Sequence, residues 1–192
     1  MGVIGLMGKI SAGKTTSADF LTAKYGYIEY SFATPLKDAC RNLFLLTNDQ
    51  LYGSKKELPD NRWFDCTPRK ILQYVGTDLL RDNMDKIMPG LGKNIFIHIA
   101  KLWYEETIKT NPNANIVISD VRFQNEVEFL HSIGGIVVKI NRNQDEILSK
   151  SSSHSSEIEL DKITNYDKII DNNDNIEYLF QELSKIHREY VN

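Results

Sequence analysis

Apolar residues along this chain fall into two kinds of pattern: short unbroken runs, and longer stretches in which they recur at helical spacing. Residues 3–7 (Val-Ile-Gly-Leu-Met) form a run that stops at Gly8. Beyond it Ala18, Phe20, Leu21 and Ala23 recur as on one side of a helix, so this segment predicts a buried strand, a glycine turn and a helix. Similar runs at 27–32, 116–119, 136–140 and 168–170 are rich in Ile, Val and aromatics, as strands buried on both faces of a parallel sheet should be. Between them, helical spacing predicts helices over 35–45, 67–82, about 95–109, 125–133 and 176–190. Strand-helix alternation of this kind predicts an α/β fold with five parallel strands flanked by helices.

One stretch breaks the alternation. Residues 47–115 hold helical patterns and no convincing strand, which predicts a helical insertion that binds the substrate within a single domain spanning 1–192. The almost pure serine segment 149–156 has no apolar area to bury and predicts a loop. The chain has 192 residues, 41% hydrophobic and 26% charged, which excludes disordered, collagen-like and coiled-coil classes. A formal charge of −3 argues against binding duplex DNA or an anionic membrane. Cys40 and Cys66 lie far apart and lack partners at metal-ligand spacing, so a reducing, cytoplasmic setting is expected. The first apolar run is too short for a leader or a membrane span.

Chemistry enters at Gly8-Lys9-Ile10-Ser11-Ala12-Gly13-Lys14-Thr15, which matches G-x-x-x-x-G-K-[ST] directly after a strand and before a helix. Such a loop turns successive backbone N–H groups into one concavity, and the helix that follows adds its positive end. Phosphate groups of ATP are the expected occupant, held by Gly8, Lys9, Ser11, Ala12, Gly13, Lys14, Thr15 and Thr16. Lys14 would reach the outer phosphates and the Thr15 hydroxyl would ligate Mg²⁺.

A kinase needs further cations to hold its acceptor. Thr67-Pro68 is a helix start, with a capping hydroxyl followed by proline at the first helical position. Arg69, Gln73, Thr77 and Arg81 follow at intervals of four, a polar stripe that drifts about 40° per step in an α-helix and is either a ligand face or a solvated one. Asp120 ends the run 116–119, where open α/β sheets place ligands, and is read as a metal or substrate ligand or as a helix cap. Arg122, two residues on, would share its side of an extended chain.

Together these segments resemble the deoxynucleoside monophosphate kinases of tailed phages and large DNA viruses. The resemblance rests on residues 8–16, on Ser31-Phe32-Ala33-Thr34-Pro35-Leu36-Lys37, on 67–77 with Arg81, on Asp120-Val121-Arg122-Phe123-Gln124-Asn125-Glu126, and on His154-Ser155-Ser156-Glu157. It implies a P-loop fold of nucleoside monophosphate kinase type and ATP-dependent phosphorylation of a deoxynucleoside 5′-monophosphate, supplying DNA synthesis in a host cytoplasm. By matching position, Arg69, Arg81 and Arg122 look like acceptor-phosphate ligands, with Phe32, Lys37, Trp63 and Gln73 near the sugar and base and Thr77 beside them. Lys14, Arg81, Asp120 and Arg122 are then the catalytic set. Gln124 departs from the family pattern, where proline is expected. Residues 142–165 stand where this class carries a lid over ATP, with Arg142 as its cation. Two other readings share the same core: a kinase of a different small metabolite, dephospho-coenzyme A-like or a sugar acid, and a nucleotide-dependent ATPase or switch. A monomer or a homodimer is expected.

Overall fold

The structure is a computed structural model and describes residues 1–143 and 160–191. Five strands form one parallel sheet in the order β2-β3-β1-β4-β5: β1 Val3–Met7, β2 Ile28–Tyr30, β3 Ile116–Val121, β4 Ile136–Asn141 and β5 Lys168–Asp171. The three central strands are the nearly continuous apolar runs, and they are buried almost throughout; the edge strands β2 and β5 keep exposed positions. This is the outcome expected for parallel strands covered on both faces.

The chain divides into two compact units, Met1–Ser31 with Tyr104–Asn192, and Phe32–Trp103. The first holds the sheet, α1 (Lys14–Tyr25), α6 (Gln124–Ser132) and α7 (Ile176–Tyr190). Ile4 and Leu6 of β1 join Ala18 and Leu21 of α1 and Leu179, Leu183 and Ile186 of α7 in one core. Gly5 points the other way, because alternate residues of a strand face opposite sides. A Cβ on Gly5 would lie 2.3 Å from Leu130 Cδ1, so α6 packs directly on the backbone of β1. Helices α1 and α6 therefore cover opposite faces and follow adjacent strands, β1 and β3. Their preceding loops meet at the point where open α/β sheets bind ligands.

The second unit holds α2 (Thr34–Phe44), α3 (Asn48–Tyr52), α4 (Pro68–Gln73), a π-helical stretch Tyr74–Arg81 and three short 3₁₀ turns; α5 (Ile95–Thr110) runs from it into the first unit. It starts at Phe32, upstream of the insertion expected from residue 47, because α2 shares its core: Cys40 packs with Leu46, Leu51, Ile71 and Leu72. Helix α3 is announced by a Thr-x-x-Gln box. Thr47 Oγ1 accepts from Gln50 N at 3.3 Å, and Gln50 Oε1 accepts from Thr47 N at 2.9 Å. The helix expected over 67–82 is α-helical only to Gln73. Both cysteines are free, and burial pushes the Cys40 thiol up to about 11.

Candidate active site

The loop after β1 has the geometry its glycines predict. Ser11 adopts φ 61° and Gly13 φ 110°, consecutive turns that fold the backbone into a concavity. A Cβ on Gly8 would lie 2.4 Å from Ile140 O, so the loop hugs the end of β4 too closely for any side chain. Helix α1 begins at Lys14, behind Gly13, a residue with no side chain to cap the leading N–H groups. Lys14 Nζ donates to Gly8 O at 2.6 Å and to Lys9 O at 2.8 Å, and thus lies folded over the loop it would serve. Lys9 Nζ pairs with Asp161 at 3.1 Å, and Thr15 is exposed beside Lys14.

Asp120 reaches the same end of the sheet by way of an irregularity. Gly5 pairs with Ile118 but Met7 with Val121, so Ser119 and Asp120 together oppose Leu6. Such a bulge re-aims the side chains after it. Asp120 Oδ2 accepts from Ser31 Oγ at 2.7 Å, a hydroxyl at the end of β2. Burial, and then the Asp120 charge, push the neighbouring Tyr30 phenol up to about 12, so it stays protonated.

β3 ends at Val121, so Arg122 stands just past the strand and alternation along β3 does not set its side. The turn is set instead by the buried carboxylate of Glu126, which accepts from Arg122 N at 2.8 Å and Phe123 N at 3.1 Å. Ser31 and Glu126 stand inside the matched motifs, yet nothing in their spacing marks them as supports for Asp120 and Arg122.

In the second unit, the helix that carries the four-residue stripe changes its winding part-way. Exposed Lys70, Tyr74, Asp78 and Asp82 alternate with buried Pro68, Leu72 and Gly76, and Arg69, Gln73, Thr77 and Arg81 form the row between. In an α-helix this row overshoots each turn by about 40°. From Tyr74 onward the bonding is π-type, as where Asp82 N donates to Thr77 O at 2.9 Å. The wider turn makes the same steps fall short, offsetting the earlier drift. Along this helix Arg69 pairs with Glu57 through Nε, and Arg81 is buried. Gly76 lets this stretch approach α2 closely, since a Cβ there would lie 2.6 Å from Leu36 Cδ2.

The remaining predicted residues have definite neighbours. Lys37 Nζ sits 4.0 Å from the Tyr52 ring centroid, and Phe32 is buried. Trp63 donates Nε1–H to Phe44 O at 2.8 Å and meets the Phe44 ring edge-on, so its polar atom is already used within the unit core. Arg142 is exposed just past β4, while most of the expected lid, including Lys150, His154 and Glu157, lies outside the described residues. Among the described residues no group of three or more His, Cys, Asp or Glu side chains is placed to hold a metal, and no helix is long and apolar enough to cross a membrane.

A phosphate-binding loop and a carboxylate at the adjacent strand end are shared by many phosphoryl-transfer proteins, so the decision rests on likeness across the chain. Residues 47–183 match the family model described as deoxynucleotide monophosphate kinase. The chain belongs to that family. It is therefore an enzyme, a nucleotide kinase of P-loop type. A protein of Acanthamoeba polyphaga mimivirus, provisionally named deoxynucleotide monophosphate kinase, is 53% identical over 185 residues, covering 95% of this chain and 94% of that one. Among solved structures, dephospho-CoA kinase from Campylobacter jejuni is similar with a TM-score of 0.51 at 18% identity, covering 97% of this chain and 96% of that one. TT1252 from Thermus thermophilus is similar with a TM-score of 0.52 at 16% identity, covering 98% and 97%. At such identities the likeness is one of fold, and it places this deoxynucleotide monophosphate kinase family member on a kinase scaffold found beyond the viruses.

Proposed function

We propose that this enzyme moves the γ-phosphoryl group of ATP onto a deoxynucleoside 5′-monophosphate, giving ADP and the deoxynucleoside diphosphate. The observation that carries the reading is the glycine-turned loop after β1 with Lys14 folded over it, next to the strand β3 that carries Asp120, in a chain of this family. The loop amides of residues 8–16 bind the donor phosphates, and the Lys14 ammonium leaves the Gly8 and Lys9 carbonyls to meet the outer ones. That exchange of neutral acceptors for charged ones favours the loaded state.

Thr15 and Asp120 suit Mg²⁺, a hard cation bound through few protein oxygens and the phosphates themselves. When bound, Mg²⁺ neutralises charge on the phosphoryl group in transit. Arg69, Arg81 and Arg122 hold the acceptor phosphate, Phe32, Lys37, Trp63, Gln73 and Thr77 line the sugar and base, and Arg142 screens the donor. Protein groups here position and stabilise charge, and no side chain forms a covalent intermediate. A coupled ADP-release assay with ATP and Mg²⁺ across the deoxy- and ribonucleoside monophosphates tests the proposal. Turnover is expected with deoxynucleotides and lost in Lys14→Ala; parental turnover in that variant refutes the loop assignment.

A further inference from the structure

Asn172 follows β5, far in sequence from the phosphate loop, yet its side-chain amide meets that loop at two adjacent residues, Ala12 and Gly13. Asn172 is buried, at 7% exposure. Its backbone N–H donates to Asn141 O at 2.7 Å, which anchors the residue to the end of β4. Its side-chain Nδ2 donates to Ala12 O at 2.9 Å, a buried bond. Gly13 is shaped around the same amide, for a Cβ there would lie 2.6 Å from Asn172 Nδ2.

A trans peptide is planar, with its C=O and N–H pointing in opposite directions. Holding Ala12 O towards β5 therefore turns the N–H of Gly13 away from Asn172, to the opposite side of the loop. We infer that Asn172 is a positioning residue: by grasping the Ala12 carbonyl it aims the Gly13 N–H at the donor phosphates before they arrive. This rests on the reading of the loop as the ATP site. A donor set in advance stabilises charge without reorganisation at the moment of reaction. The chemistry also accounts for the residue type, since an aspartate of the same size would turn a carboxylate oxygen on the Ala12 carbonyl and repel it.

The test compares Asn172→Ala and Asn172→Asp with the parent in the full-length enzyme, measuring KM for ATP and for the monophosphate separately. A lost buried hydrogen bond should raise KM for ATP by about tenfold or more and leave that of the monophosphate within about twofold, with Asp no better than Ala. An unchanged KM for ATP in folded variants overturns the inference. So does an equal rise in both constants, or a loss confined to kcat, since these report general softening.

If neither variant folds or turns over, amide exchange at Gly13 in the parent decides. Fast exchange that ATP slows supports the inference, and protection already present without ATP overturns it. Lys14→Ala, run in parallel, separates the two levels. If it is inactive while both Asn172 variants keep the parental KM for ATP, only the role of Asn172 fails. If it keeps parental turnover, the ATP-site reading fails and takes this inference with it.

Discussion

The two units of this kinase handle charged groups in opposite ways. In the sheet unit, the loop proposed to bind ATP is one contiguous segment, residues 8–16, that follows the first strand of a parallel sheet whose central strands are buried. In the helical unit, the proposed acceptor ligands Arg69 and Arg81 are spread along a helix whose winding changes from α to π after Gln73. A contiguous loop carries its geometry in its glycines. A dispersed row takes its geometry from packing, here from the close approach of Gly76 to Leu36 around a smaller core. The lesson is that one kind of site is robust to distant changes and the other is sensitive to local winding.

The largest effect separates the contributions to chemistry. If Arg122 acts mainly in the transition state, Arg122→Ala should lower kcat on the order of 10³-fold with a smaller change in KM, as for arginines that meet a phosphoryl group in transit. Steady-state kinetics checks this, and a change in KM alone would reassign Arg122 to ground-state binding. Gly76→Val, whose side chain would run into Leu36, should disturb the packing of the π stretch and displace Arg81. The expected loss is about 10²-fold in kcat/KM for the monophosphate, with KM for ATP retained, because small misplacements of positioning groups are that costly. Unaltered kinetics would mean the winding is incidental.

Stability offers a smaller contrast. Leu72→Ala in the helical core and Leu179→Ala in the sheet core should each cost about 2–5 kcal/mol. Hydrogen exchange should show each loss confined to its own unit. Loss of protection in both units from either change would show that they unfold together.

The smallest effect is in acid. Burial, and then Arg188, hold the His187 imidazole below its usual value, beside Tyr25 and the Tyr27 hydroxyl. The unfolded chain therefore takes up the proton first, and the sheet unit should lose stability as pH falls below about 6.5. Asp60 behaves otherwise: the Arg62 guanidinium and the Gln50 amide hold its carboxyl well below the usual carboxylate range. Its contribution is complete above about pH 4 and is lost as pH falls further towards its folded value. Thermal melts from pH 7 to 3 should show a first decline that His187→Phe removes and a later one that Asp60→Asn removes.

Much was legible in the chain itself. Unbroken apolar runs mark strands buried on both faces, because a parallel sheet covered by helices leaves no polar side for them to show. The phosphate loop declares itself because its donors are backbone amides, and their arrangement follows from glycines a few residues apart. Helix α7, at Ile176–Tyr190, is visible to its ends in the spacing of Ile176, Leu179, Phe180, Leu183 and Ile186.

Tertiary structure alone decided the rest. The extra residue of β3 opposite Leu6, the bonds of the Glu126 carboxylate to Arg122 N and Phe123 N, the change from α to π winding after Gln73, and the grip of Asn172 on Ala12 are all set by neighbouring elements. Local sequence encodes periodicity and the choice of turn. Which partner a buried polar group finds depends on strand register and helix approach, both settled only when the core closes.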